Sequence, residues 1–169
     1  MNNTIVEYKI KNNNSSLGVE ILDFEYDHIF DDARVSDLRN LWLNYSIIIF
    51  KDLKLSHQQL ENFSLAFGNF GNDPYIDSID GHDNIIEVRR EADEKAPPFG
   101  ASWHSDWSFQ ECPPSATLLH SKIIPPIGGD TFFINTHKAY ADLPNDIKQK
   151  IKNLMVSHSA IRPYADDGF

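Results

Sequence analysis

Sulfur and positive charge are both scarce in this sequence. The single cysteine, Cys112, excludes an internal disulfide and fits a reducing compartment. Fifteen Lys and Arg stand against 25 Asp and Glu, for a formal net charge of −10. That leaves no basic patch to neutralise phosphates, so nucleic acid is excluded as a partner. No apolar run approaches the length of a membrane span, and the opening residues MNNTIVEYKIK carry no signal-peptide core. A cytoplasmic protein with no membrane partner is expected. Internal repeats and low-complexity tracts are missing as well. What is present is 169 residues, 41% of them hydrophobic, enough to bury one core.

The first half alternates strand and helix signals. Residues 4–10 alternate apolar and polar as an edge strand does, and Gly18 to Phe24 is a candidate neighbour. Val35, Leu38, Leu41 and Trp42 fall at helical spacing and predict a helix over 33–45. The run Ser46 to Phe50 reads as a fully buried strand. Ser56 and Gln59 form a capping box opening a second helix through Leu60, Phe63 and Phe67, with Gly68 as its C-terminal cap. Asn84 to Arg90 is a strand candidate, followed by a charged, proline-rich loop from Glu91 to Gly100. Beyond it, strands are expected over 115–124, 130–134 and 155–161, the first two joined by a turn at 125–129. Short helices should cover 136–142 and the residues from Pro144 through Ile147, Ile151 and Leu154.

The chemistry-bearing stretch is Trp103-His104-Ser105-Asp106, followed by Gly128-Gly129-Asp130-Thr131. On an extended strand alternate side chains share a face, so His104 and Asp106 can present an imidazole and a carboxylate to one point. Two histidines and one carboxylate on one face of an octahedral ion are the ligand set of non-haem Fe(II) oxygenases, because three positions stay open. His-x-Asp by itself turns up about once by chance in such a chain. Its context carries the weight. Trp103, Trp107 and Phe109 interleave with the polar residues, and Pro97-Pro98 and Pro113-Pro114 flank the run.

With WHSDWSF at 103–109, PPSATLLHSKIIPPIGGDTFF at 113–133 and AYADLP at 139–144, the chain resembles the taurine dioxygenase (TauD/TfdA) family of Fe(II)- and 2-oxoglutarate-dependent oxygenases. The resemblance implies an α+β fold, a double-stranded β-helix or jelly roll with helices packed outside the barrel. It implies His104 and Asp106 as ligands of Fe(II), Thr131 as a hydroxyl donor to the distal carboxylate of 2-oxoglutarate, and dioxygen as co-substrate. A small organic substrate would be oxidised with release of succinate and carbon dioxide. The family's second iron histidine and its 2-oxoglutarate arginine lie far downstream of the Gly-Gly-Asp-Thr motif. His137 and His158 come too early for that role, and Arg162 precedes Pro163. Residues 1–169 are therefore expected to be an incomplete oxygenase domain lacking the C-terminal part of the barrel, inactive in isolation. A homo-oligomer is left open.

Taurine-using relatives carry a histidine and a tyrosine where this chain has Asp73 and Ile76, and an asparagine where it has Gly100. A carboxylate there would repel a sulfonate, so taurine is not the expected substrate. The bland alternatives are a surface His–Asp pair, Thr131 as an ordinary β-favoured residue, and Gly128 and Gly129 serving only the turn. Trp103 and Trp107 are expected to pack, His120 and His158 to be ordinary strand histidines, and Cys112 to be inert. The opposing functional class is a non-catalytic, truncated jelly-roll module with a binding or structural role.

Overall fold

The computed structural model describes residues 9–11, 17–73, 75–95 and 98–160. Helix and strand are mixed, as expected. The chain forms two compact units, one of residues up to Phe67 together with His120–Leu154, the other of Gly68–Leu119 with Met155 onward.

In the first unit, β1 (Lys9–Lys11) pairs antiparallel with β2 (Val19–Leu22), which pairs parallel with β3 (Ile48–Phe50). A parallel pair needs a crossover. Here it is a 3-10 turn at Tyr26–Phe30 and the helix α1 (Asp32–Tyr45). Asp31 caps α1 by accepting from the backbone N–H groups of Ala33 and Arg34, and Ser46 ends it in a left-handed conformation at φ +63°. The α1 expectation holds, with Leu38 its fully buried residue.

Alternation places Val19 and Ile21 of β2 in the core, and Phe24, Ile29, Leu55 and Phe63 close around them. Phe24, Phe50 and Phe63 meet edge-to-face, with ring centroids 4.9–6.1 Å apart. Such geometry adds to the gain from area burial alone. The predicted strand over 46–50 is shorter and less buried than expected, because Ser46 is spent on the helix cap and Ile49 stays 47% exposed.

The helix α2 (His57–Leu65) opens on the expected capping box: Ser56 N–H donates to Gln59 Oε1 at 2.9 Å, and Gln59 N–H to Ser56 Oγ at 3.2 Å. Its end differs from expectation. Ala66 is the C-terminal cap in place of Gly68, and Arg39 Nη2 donates to the carbonyls of Ala66 and Phe67. A guanidinium from α1 satisfies the orphan carbonyls that a glycine would otherwise help to turn. The helices α3 (Thr136–Asp142) and α4 (Asn145–Ile151) follow the sequence reading, except that Pro144 caps α4 and Leu154 lies beyond its end.

The later strands are the main correction to the expected fold. Residues 84–90, 115–124, 130–134 and 155–160 form none of the predicted strands. At 84–90 the preceding chain turns back on itself, with Ile79 N–H donating to the Ile85 carbonyl at 2.9 Å. The other segments find no ladder partner among the described residues, and a strand exists only through the neighbour that takes its backbone hydrogen bonds. Several of their apolar side chains are exposed: Ile123 is 93% exposed, Phe132 74% and Met155 94%. Residues 4–8 of the first predicted strand, Ile161 of the last, and Arg162 lie outside the described residues. No helix among the described residues is long and apolar enough to cross a membrane.

Candidate metal centre

His104 and Asp106 belong to the second unit, and they converge. Nε2 of His104 lies 3.1 Å from Oδ1 of Asp106, with both side chains 49% exposed. The route differs from the sequence reading, because this stretch is not a strand. Residues 106–109 form a turn, closed by hydrogen bonds from Ser108 N–H to the Ser105 carbonyl and from Gln110 N–H to the Trp107 carbonyl. Trp107 takes φ +46°, a left-handed conformation that costs a side-chain-bearing residue about 1–3 kcal/mol and needs support from its surroundings.

That support is visible on every side of the turn. A Cβ at Gly71 would stand 2.9 Å from Cζ3 of Trp107 and 3.6 Å from Pro114 Cβ, so the indole packs where only a glycine leaves room. Phe109 meets Tyr75 edge-to-face at 5.6 Å. Gln110 Nε2 donates to the Asn72 carbonyl at 2.9 Å, and His158 Nδ1 sits 2.7 Å from Ser108 Oγ. Trp107 packs, as expected, whereas Trp103, expected to pack too, is 70% exposed. His158 is not an ordinary strand histidine but a clamp on the turn that carries Asp106, a role no sequence spacing announces across 50 residues.

Each ligand candidate is also held at its far atom. His104 Nδ1 lies 2.7 Å from the Ser102 carbonyl oxygen. A carbonyl only accepts, so Nδ1 carries a proton, and Nε2 is the ring atom left to face Asp106. Thr117 Oγ1 donates to Asp106 Oδ2 at 2.6 Å, which leaves Oδ1 facing His104. Gly100, at φ +68°, lies under the imidazole, where a Cβ would come within 3.2 Å of Cε1. The left-handed backbone explains why glycine suits the position, and asparagine tolerates that conformation too. No third His, Cys, Asp or Glu joins the pair among the described residues.

The remaining candidates come from other stretches of the sequence. Thr131 is in the first unit, in the exposed loop between the Gly128-Gly129 turn and α3. Both glycines take left-handed φ, +81° and +74°, so turn geometry accounts for them. His120 is on no strand; it is partly buried near Leu53, His57 and Lys122, and Lys122 Nζ donates to the Leu55 carbonyl at 3.0 Å. Burial and then the Lys122 ammonium hold its imidazole below 6.5, with His57 adding to the effect and the Leu53 backbone opposing it. Asp73 Oδ1 accepts from the N–H groups of Tyr75 and Ile76 at 2.8 and 3.2 Å, so that carboxylate builds a local turn. Cys112 is a free, exposed thiol.

Residues 8–167 match the profile of the family described as "Taurine catabolism dioxygenase TauD, TfdA family". Over 144 residues the chain is 31% identical to an alkylsulfatase of Acinetobacter baylyi, covering 85% of this chain and 44% of that protein. It is 29% identical over 150 residues to an alpha-ketoglutarate-dependent sulfate ester dioxygenase of Pseudomonas putida, covering 88% of this chain and 48% of that one. The chain thus spans about half the length of the curated relatives it matches. A crystal structure of a candidate alpha-ketoglutarate-dependent taurine dioxygenase from Burkholderia xenovorans superposes with a TM-score of 0.73 at 24% identity, over 87% of this chain and 52% of that one. That is a likeness of fold. With its profile match running through nearly all of the sequence, the chain belongs to the TauD/TfdA family.

Proposed function

We propose that the chain is the metal-bearing part of an Fe(II)- and 2-oxoglutarate-dependent dioxygenase that oxidises a small organic substrate with release of succinate and carbon dioxide. The observation that carries this reading is the gap between His104 Nε2 and Asp106 Oδ1. Nε2 and a carboxylate oxygen 3.1 Å apart share either a proton, as an N–H···O hydrogen bond, or a divalent ion that both ligate. Cis ligands of an octahedral ion, each about 2.1 Å from it, stand about 3.0 Å apart, which matches the spacing of this pair.

His104 and Asp106 would hold Fe(II), which when bound supplies the chemistry of dioxygen activation and oxidative decarboxylation of the 2-oxo acid. Residues of this chain do the rest. The Ser102 carbonyl orients the His104 ring and the packed turn fixes the bearing of Asp106, while Thr131, by the family resemblance, would donate its hydroxyl to the distal carboxylate of 2-oxoglutarate. In this reading residues 1–169 are an incomplete jelly-roll domain with its helices outside, and the second histidine and the co-substrate arginine fall in the part of the relatives that the chain does not match. Sulfate esters are the first substrates to try, given the relatives' names. Taurine is not expected, because Asp73 and Ile76 stand where taurine-using relatives carry a histidine and a tyrosine, and Asp73 is engaged in a local turn.

Titrating the 169-residue protein with Co(II), followed by visible absorption, tests the site. One equivalent should bind weakly, and His104→Ala or Asp106→Ala should abolish it. If wild type and variants respond alike, the pair is no metal site and the non-catalytic module gains. Succinate production with Fe(II), ascorbate and 2-oxoglutarate should be slight, because two ligands hold iron less well than three. Robust turnover would overturn the view of an incomplete site.

A further inference from the structure

Only one of the two Asp106 oxygens faces His104. Oδ1 lies 3.1 Å from Nε2, while Oδ2 is taken by the Thr117 hydroxyl at 2.6 Å. That distance falls in the range of charge-assisted O–H···O⁻ bonds, the stronger class. The terminal torsion of an aspartate is broad and close to two-fold, so without a partner the carboxylate exchanges its oxygens or offers both at once. Thr117 removes that freedom. It does so from eleven residues away, across the Cys112-Pro113-Pro114 segment, so the bond also ties the following chain to the turn that carries Asp106.

We infer that Thr117 is a positioning residue: its hydroxyl selects Oδ1 of Asp106 as the metal-binding oxygen and keeps the carboxylate monodentate, on the side where His104 Nε2 points. The inference rests on the reading of His104 and Asp106 as ligands. It deepens that reading by giving the carboxylate the counterpart of what the Ser102 carbonyl does for the imidazole. Both ligands are then oriented through the atom that the metal does not touch. The hydroxyl is the active part of the side chain, and the methyl group is dispensable.

Co(II) titrations of wild type, Thr117→Val and Thr117→Ser separate these roles. Thr117→Val keeps the shape and loses the donor; it should weaken Co(II) binding by about 10- to 100-fold and shift the visible bands as the freed carboxylate changes its coordination. Thr117→Ser should bind close to wild type with an unchanged spectrum. Thermal unfolding without metal, run on all three, shows whether the variants share the wild-type fold, and Thr117→Ala serves as a second donorless variant. Equal affinity and spectrum in wild type and a folded donorless variant would overturn the inference, as would a serine variant as weak as the valine one. A wild type that binds no Co(II) would instead sink the metal-site reading on which the inference stands.

Discussion

At Gly100 the backbone takes φ +68°, and the imidazole of His104 rests where a side chain would begin. Gly100→Ala therefore adds strain of about 1 kcal/mol at a left-handed position and presses on Cε1 of His104 from 3.2 Å. A lower melting temperature together with weaker Co(II) binding is the expected outcome; unchanged binding would show that the ring has room to yield. His120 gives a second residue-scale prediction. Its folded-state pKa lies below the ordinary 6.5, so the unfolded chain binds more protons between the two values. The sign follows: the contribution of His120 to stability is fully present above 6.5 and is lost as pH falls from there through the folded value. Urea midpoints measured from pH 7.5 down to 5 should decline, and His120→Gln should flatten part of that slope. The sequence made His104 and Asp106 legible through their motif. Gly100, Thr117 and His158 were not legible in these roles, because each acts through a contact that no periodicity encodes.

Among the elements, α2 shows what local sequence can and cannot announce. Its start is written in four residues, since the Ser56–Gln59 box satisfies two backbone donors reciprocally. Ser56→Ala should cost about 1 kcal/mol, read as a drop in the denaturant midpoint with unchanged slope. Its end depends on Arg39, which reaches the Ala66 and Phe67 carbonyls and lies 5.9 Å above the Phe67 ring. Periodicity pointed to Gly68, and a distant guanidinium took the role instead. The His104–Asp106 turn repeats the lesson. Alternation predicted a strand that would align the two side chains, whereas a turn strained at Trp107 brings them together, held by Gly71, Tyr75, Asn72 and His158. Strain of this kind concentrates where function fixes the backbone.

On the scale of the molecule, the exposed apolar side chains of 123–134 and 154–156 set the behaviour in solution. Ile123, Ile127 and Phe132 of the first unit are each at least 74% exposed, as is Met155 of the second, and exposed apolar side chains promote association in water. The purified 169-residue protein should bind a hydrophobic dye and show a mass that rises with concentration in light scattering, and Ile123→Lys with Ile127→Lys should reduce both. A monodisperse monomer with no dye binding would count against this. The same residues explain the failed strand predictions: their patterning suits a sheet, yet patterning specifies a face and not a neighbour. Composition, caps, helical periodicity and the motif order WHSDWSF, GGDT and AYADLP were determined by the sequence itself, because each depends on residues close in the chain. Tertiary structure alone decided which strands pair, which donor closes α2, and which oxygen of Asp106 faces His104. Those outcomes depend on partners brought close only by folding, so their energies belong to no single segment.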